Sequence, residues 1–319
     1  MGGDPGKGLR VVSFGECMLE LQGEAFGTLH QTYGGDTLNT AVYLARCGRA
    51  RGLVVDYATA VGDDPLSSGL LQRWQAEGLG TGLVRRLTGR LPGLYLIDVD
   101  ERGERRFSYW RDQAAARSYF DTAAGQTPLE QQADDLDALY FSGISLAILP
   151  AAAQLRLLAV AQRVRERSGL VAFDNNYRPR LWPDVAAARS AFSAATAVAT
   201  LALMTLDDEQ ALWSEPDAAA QLQRTLGLAT PEVVVKRGAA PTLVRDADGT
   251  LHEVPTDTVP QVVDTTAAGD SFAGAYLAAR LSGASAAQAA AAGNRLAARV
   301  VQHRGALLPE AAMADLMTR

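Results

Sequence analysis

Short β-branched runs alternate with longer helical stretches along this chain, and that alternation restricts the possible fold more than any other feature. "LRVVSFGECMLELQG" carries strand-type runs; "GGDTLNTAVYLARCG" then sets Leu38, Ala41, Val42 and Ala45 at helical spacing, with Asp36 as the expected N-cap and Gly48 as the expected stop. The pairing returns in "LVVDYATAVG" before "DPLSSGLLQRWQAEG", in "ALYFSGI" before "AAAQLRLLAVAQRVRERSG", and in "VATLALMTL" before "DDEQALW". "LVAFDNN" is also followed by a helix, whereas "EVVVKRG" leads into a hairpin. Strands alternating with helices predict a largely parallel sheet covered on both faces. "GLYLIDVDERGERRFSYWR" breaks the rhythm: it reads as an antiparallel hairpin around a "DERGE" turn, and in a parallel design such a hairpin is a candidate lid.

With 319 residues, 48% of them hydrophobic, the chain can bury a substantial core. The formal net charge is -6, and no Lys/Arg block is long enough to track a phosphate backbone, so nucleic acid is not an expected partner. The start, "MGGDPGKGLR", lacks the apolar core of a signal peptide or anchor and reads as a frayed tail. "AATAVATLALM" falls short of the ~20 apolar residues that a membrane span needs, so no membrane and a cytoplasmic location are expected. Cys17 and Cys47 form no metal spacing and read as reduced core thiols.

The common chemical fingerprints are missing. There is no G-x-x-x-x-G-K-[S/T], no G-x-G-x-x-G after a strand, no H-E-x-x-H and no G-x-S-x-G, and the three histidines, His30, His252 and His303, are scattered. "DTTAAGDSF", residues 264–272, is the informative stretch. Its small residues allow a nest of convergent N–H groups, and the helix behind it adds unpaired donors and a positive dipole end, which together suit a phosphate. Asp270 stands at the mouth of that helix, where it can take a proton from an attacking hydroxyl; on these residues alone, it reads equally well as an N-cap. Three other segments end strands or open helices. "GGDTLN" permits close backbone approach, with Asp36 and Asn39 to bond hydroxyls; "FDNNYRPRLW" brings Arg178 and Arg180 to a strand end, for an anion or for a surface ion pair; "VVVKRGAAP" brings Lys236, Arg237 and Gly238 to another.

Taken together and in this order, "GGDTLN", "DNNYR", "VVKRGA" and "DTTAAGD" resemble the ribokinase-like (PfkB) carbohydrate kinases over essentially the whole chain. The resemblance implies a three-layer αβα fold with a predominantly parallel central sheet and a small β lid: one kinase domain over residues 1–319, with a discontinuous lid from about 15–33 and 93–113. It implies Asp270 as the base, with Ala267, Ala268 and Gly269 as the anion hole for the transferring phosphoryl group. ATP would meet these residues together with Asn176, Tyr177, Arg178, Lys236, Arg237, Gly238, Ala239 and Ala240. The implied acceptor is a keto-deoxy sugar acid, 2-keto-3-deoxygluconate, held by Gly34, Gly35, Asp36, Thr37, Asn39, Tyr95, Tyr109, Arg111 and Arg178 and phosphorylated on its 6-hydroxyl. A carboxylate needs arginines, and Arg111 and Arg178 are available for it. Alternative readings are a fructokinase- or ribokinase-type enzyme and a non-catalytic nucleotide- or sugar-binding module.

Two departures from the family pattern stand out. Ala267 replaces the usual glycine, so the position is expected to use a conformation that alanine tolerates. The family's Asn-x-x-Glu, which orders water on Mg2+, appears as Thr205-Leu206-Asp207-Asp208, leaving Asp208 to act through water. The resemblance further implies a monovalent cation such as K+ near Asp264 and Thr266, and a homo-oligomer joined through the lid.

Overall fold

The computed structural model describes residues 8–24, 26–99, 105–123 and 125–317, so the expected frayed start and the "DERGE" turn at 100–104 lie outside the described residues. Fourteen strands occur among them: β1 (Arg10–Phe14), β2 (Met18–Gly23), β3 (Leu29–Gly34), β4 (Val54–Ala58), β5 (Ala60–Val61), β6 (Arg85–Arg86), β7 (Gly93–Val99), β8 (Arg105–Trp110), β9 (Ala138–Ser142), β10 (Leu170–Asp174), β11 (Leu201–Thr205), β12 (Glu232–Arg237), β13 (Ala240–Arg245) and β14 (Leu251–Val254). The main sheet runs β14-β13-β12-β11-β10-β9-β1-β4. From β4 to β12 every pairing is parallel, and β13 and β14 extend the edge as antiparallel strands.

Alternation along the strands divides the core. Val11, Tyr140, Leu203 and Val234 face a layer that includes helices Asp36–Gly48, Ala268–Leu281 and Ala286–Val300. Val12, Phe14, Leu139, Phe141, Phe173 and Val235 face the opposite layer, with helices Ala151–Glu166 and Val185–Val198. Both faces are covered, so these strands read as continuous apolar runs rather than alternating ones. The result is the expected three-layer αβα arrangement around a mostly parallel sheet.

A second sheet, in the order β3-β2-β7-β8, stands apart from the main one. Thr32, Glu20, Tyr95 and Tyr109 form one rung across its four strands, and β7 and β8 pair antiparallel. The opposite face carries Leu19, Leu21, Leu94, Leu96 and Trp110, and Trp110 is 59% exposed.

Helix Asp36–Gly48 corrects one expectation. Its N-cap is Gly35 with no side-chain capping bond, and Asp36 is the first helical residue. The Asp36 carboxylate instead accepts Ser142 Oγ at 2.5 Å and Asn176 Nδ2 at 2.8 Å, so it joins two strand ends rather than its own helix. At the far end Gly48 is the last helical residue, and Gly52, at φ 75, closes a following 3-10 turn. Every residue from Thr37 to Gly48 is buried. The helix crosses Ala268–Leu281 at Gly274, where an added Cβ would meet Thr40 O and Leu44 N at 2.9 Å, so only glycine permits this approach. Cys17 and Cys47 are free and buried. Among the described residues, no helix is long and apolar enough to cross a membrane.

Candidate active site

Parallel strands deliver their carboxyl ends to one edge of a sheet, the usual place for a ligand in an open α/β fold. Here that edge gathers Ser142 from β9, Asp174 from β10 and Lys236 from β12, and the first turns of helices Asp36–Gly48 and Ala268–Leu281 meet there. Asn39 Nδ2 donates to Asp270 Oδ2 at 2.9 Å, joining residues 231 apart in sequence. Asp270 Oδ1 makes no hydrogen bond among the described residues and is left to accept a proton. Burial pushes the Asp270 carboxyl up to about 7, with the charges of Asp36 and Asp174 adding to the rise and the Asn39 hydrogen bond and Lys236 opposing it. A base of this strength suits proton transfer near neutral pH.

The loop before Asp270 is the expected anion hole. Ala267 is the N-cap of helix Ala268–Leu281, at φ 60 and ψ 15. This corrects the expectation of a conformation comfortable for alanine: the left-handed region costs a residue with a Cβ about 1–2 kcal/mol. The strained turn leaves the N–H groups of Ala267, Gly269 and Asp270 without partners among the described residues, whereas Ala268 N donates to Thr265 O at 3.2 Å. The free donors therefore differ from the expected set: Ala268 is partly spent and Asp270's own N–H joins. Ala267→Gly is expected to raise stability by up to about 1 kcal/mol, the strain relief being offset in part by the unfolded-state entropy of glycine. Thermal denaturation of the two proteins checks this.

Lys236 provides the local cation. Its Nζ lies 2.8 Å from Asp174 Oδ2, and a Cβ added at Gly269 would be 3.5 Å from the same nitrogen. The rest of the expected ATP set divides. Arg237 turns away, donating to Pro241 O and Glu253, while Gly238, at φ 60, turns the chain into β13 at Ala240. Ala239 O accepts Thr256 Oγ1 at 2.6 Å. Asn176, at φ 26, is committed through its amide to Asp36. The Tyr177 ring is buried against Phe192, with centroids 5.8 Å apart, so its backbone alone faces the cleft side; its N–H meets Asp208 Oδ2 at 3.2 Å. Arg178 is half exposed and lies 3.6 Å from Asp208. Both carboxylate oxygens of Asp264 accept protein donors, Oδ1 from Thr266 N and Oγ1 and Oδ2 from Gly305 N.

On the acceptor side, Gly35 is fixed by close approach, since a Cβ there would stand 2.2 Å from Glu16 O. Gly34 leaves room beneath Tyr95, whose hydroxyl donates to Glu20. Tyr109 lies beside Tyr95 with ring centroids 5.9 Å apart and the rings tilted by 34°, and it is half exposed. Two expected contacts are otherwise engaged. Thr37 is fully buried with its hydroxyl 3.1 Å from Tyr57 OH, and Arg111 is buried in an ion pair with Glu16, so it is not a free cation. Glu16 and Glu20 escaped sequence reasoning. The signal was present in "GECMLEL", where two acids interrupt an apolar strand-type run.

This geometry puts a carboxylate with an open oxygen beside unpaired N–H groups and a lysine, which is a suitable arrangement for phosphoryl transfer, where positioning and charge stabilisation dominate. The chain is 48% identical to a 2-dehydro-3-deoxygluconokinase of Dickeya dadantii over 305 residues, covering 95% of this chain and 98% of that protein. Its fold matches the crystal structure of a 2-dehydro-3-deoxygluconokinase from Thermotoga maritima with a TM-score of 0.81 at 22% identity, covering 98% and 99% of the two chains. It also matches an Escherichia coli chain described as a ribokinase II, in complex with ATP and Mg2+, with a TM-score of 0.81 at 21% identity over 97% and 99%. Identities at this level speak for the fold alone. The sequence profile of the pfkB family carbohydrate kinases matches residues 9–312, and the chain belongs to that family.

Proposed function

We propose that this protein transfers the γ-phosphoryl group of Mg-ATP directly to the 6-hydroxyl of 2-keto-3-deoxygluconate, giving the 6-phosphate. The observation that carries the reading is Asp270: its Oδ1 makes no hydrogen bond among the described residues, and it stands in the first helical turn with the N–H groups of Gly269 and Asp270, also unbonded among them. Asp270 takes the proton of the acceptor hydroxyl as the hydroxyl oxygen attacks phosphorus. The N–H groups and Lys236 stabilise the charge on the transferring group, and no phosphoenzyme is needed. The substrate identity draws on the 48% identical relative, and Arg178, half exposed, supplies positive charge for an acidic sugar.

Among the described residues no group of three or more His, Cys, Asp or Glu is arranged to hold a metal ion. Mg2+ keeps most of its waters and would be held largely by nucleotide phosphates. Asp208, kept above the ordinary carboxylate range by burial against the pull of Arg178 and Lys236, would contact it through water. The four-stranded sheet acts as a lid that excludes water from the reacting groups and limits ATP hydrolysis.

ADP release tests the reading, with purified protein and Mg-ATP given 2-keto-3-deoxygluconate, fructose, ribose, gluconate or no sugar. Release that depends on the keto-deoxy acid is expected. Release with a neutral sugar instead overturns the substrate, and silence with all of them overturns catalysis.

The outer face of the lid sheet is the natural dimer contact. It lines an apolar hollow of about 720 Å³ that includes Leu21, Leu94, Leu96 and Trp110. A homodimer is expected by light scattering, and Leu96→Glu with Trp110→Glu should convert it to monomer.

A further inference from the structure

Glu16 lies between β1 and β2 and is 2% exposed. Its Oε2 accepts Arg111 Nε at 3.0 Å and a second N–H from Arg111 Nη2, while Oε1, also buried, has no hydrogen-bond partner among the described residues. Arg111, 9% exposed, spends only this edge of its guanidinium, and Nη1 makes no hydrogen bond among the described residues. The pair lies at the foot of the lid sheet, where two glycines let polar side chains close in on the backbone. An added Cβ at Gly93 would be 2.6 Å from Glu16 Oε1, and one at Gly34 would be 2.8 Å from the Tyr95 hydroxyl. Gly34 and Gly93 both pair with Met18, two residues along the strand from Glu20 and its partner Tyr95.

The charges around this pair do not suit a simple carboxylate receptor. Glu16 already neutralises Arg111, so an acidic acceptor would set two carboxylates against one buried guanidinium, and an unbalanced charge in such a site is costly. The remaining groups offer little relief. Arg117 and Asp36 act on Glu16 with opposite signs, and the Cys17 thiol and Tyr57 hydroxyl nearby are held neutral by burial. The unbonded Oε1 is where a proton would remove the conflict.

We infer that Glu16 is the residue that fits this site to an anionic acceptor: it neutralises Arg111 in the free enzyme and takes up one proton from solvent when a sugar-acid carboxylate occupies the Nη1 edge of Arg111. This inference rests on the sugar-acid reading of the site. Burial already holds the Glu16 carboxyl above its ordinary range despite the opposing pull of Arg111 and Arg117, so a second carboxylate on the same guanidinium has only to extend that rise. A neutral sugar leaves the pair intact and takes up no proton. Because the bound form has the higher proton affinity, affinity for the sugar acid falls as pH rises between the free and bound values, by at most about tenfold per pH unit.

Calorimetric binding of 2-keto-3-deoxygluconate, without ATP and in buffers of different ionisation enthalpy between about pH 6 and 9, reads the proton directly. The wild-type protein is expected to take up as much as one proton per site, and its KM is expected to rise with pH. Glu16→Gln, a permanently neutral carboxyl mimic, should show no uptake and a flat KM, while the pH dependence of kcat set by Asp270 persists in both. Saturable binding without uptake in the wild type, which needs no variant to fold, overturns the inference. So does equal uptake in Glu16→Gln, which would assign the proton to Asp270. Failure of the sugar acid to bind or turn over at all overturns instead the substrate reading on which the inference rests.

Discussion

Asp270→Asn should lower kcat by roughly 100- to 10,000-fold, the usual worth of a general base, while ATP and acceptor still bind. Turnover assays and calorimetry on the same preparation separate the two effects, and unchanged turnover would remove Asp270 as the base. The stability of this variant should move the other way. In the folded protein the carboxyl is held up to about 7, with burial the largest cause. Between its unfolded value of about 3.9 and that point, rising pH ionises the group in the unfolded chain before the folded one, so stability falls across this window. A full shift would cost about 4 kcal/mol at higher pH, and a carboxylate partly open to the cleft costs less. The asparagine avoids the cost, so Asp270→Asn should melt higher than wild type above about pH 7 and show little difference near pH 4. A variant that is inactive and also less stable at pH 8 would contradict this account. In the active enzyme, kcat/KM should fall as pH drops below about 7, as the base becomes protonated.

Lys236→Met is expected to damage both stability and catalysis. Asp174 is 4% exposed and holds the lysine at 2.8 Å, so losing the cation leaves a buried carboxylate without its ion-pair partner, a change worth about 3–5 kcal/mol. Catalysis should lose about 100- to 1,000-fold in kcat, comparable to removing one donor from an oxyanion hole. Pairing the change with Asp174→Asn separates the contributions. The double variant should regain most of the lost melting temperature but none of the lost kcat. Recovery of turnover in the double variant would mean that Lys236 acts only through the fold.

The alternation of strand and helix runs was legible because a parallel sheet with two covered faces requires apolar strands joined by helical crossovers. The motif segments were equally legible, since glycine, alanine and acid at strand ends are chemically conspicuous. Side-chain commitments were harder to read. The Asp36 carboxylate looked local, as a cap, and is instead bonded to Ser142 and Asn176, more than one hundred residues away. Arg111 looked like a free cation because its partner, Glu16, lies 95 positions earlier on another element. Ala267 shows a different limit: sequence marks the substitution, but the left-handed turn that makes it matter is a property of the folded loop. Local spacing registers one element at a time, whereas each of these facts depends on two elements meeting.

The contact at Gly274 ties the chemistry to the core. Asn39 and Asp270 sit on the two helices that touch there, each within one or two turns of the crossing, and their hydrogen bond can form only while the backbones remain at glycine distance. The base therefore has no hinge of its own. Heating or a mutation that separates the helices disables Asp270 in the same event that opens the hydrophobic interior. Selection for catalysis thereby acts on residues deep in the helical layer that never approach a sugar or a phosphate.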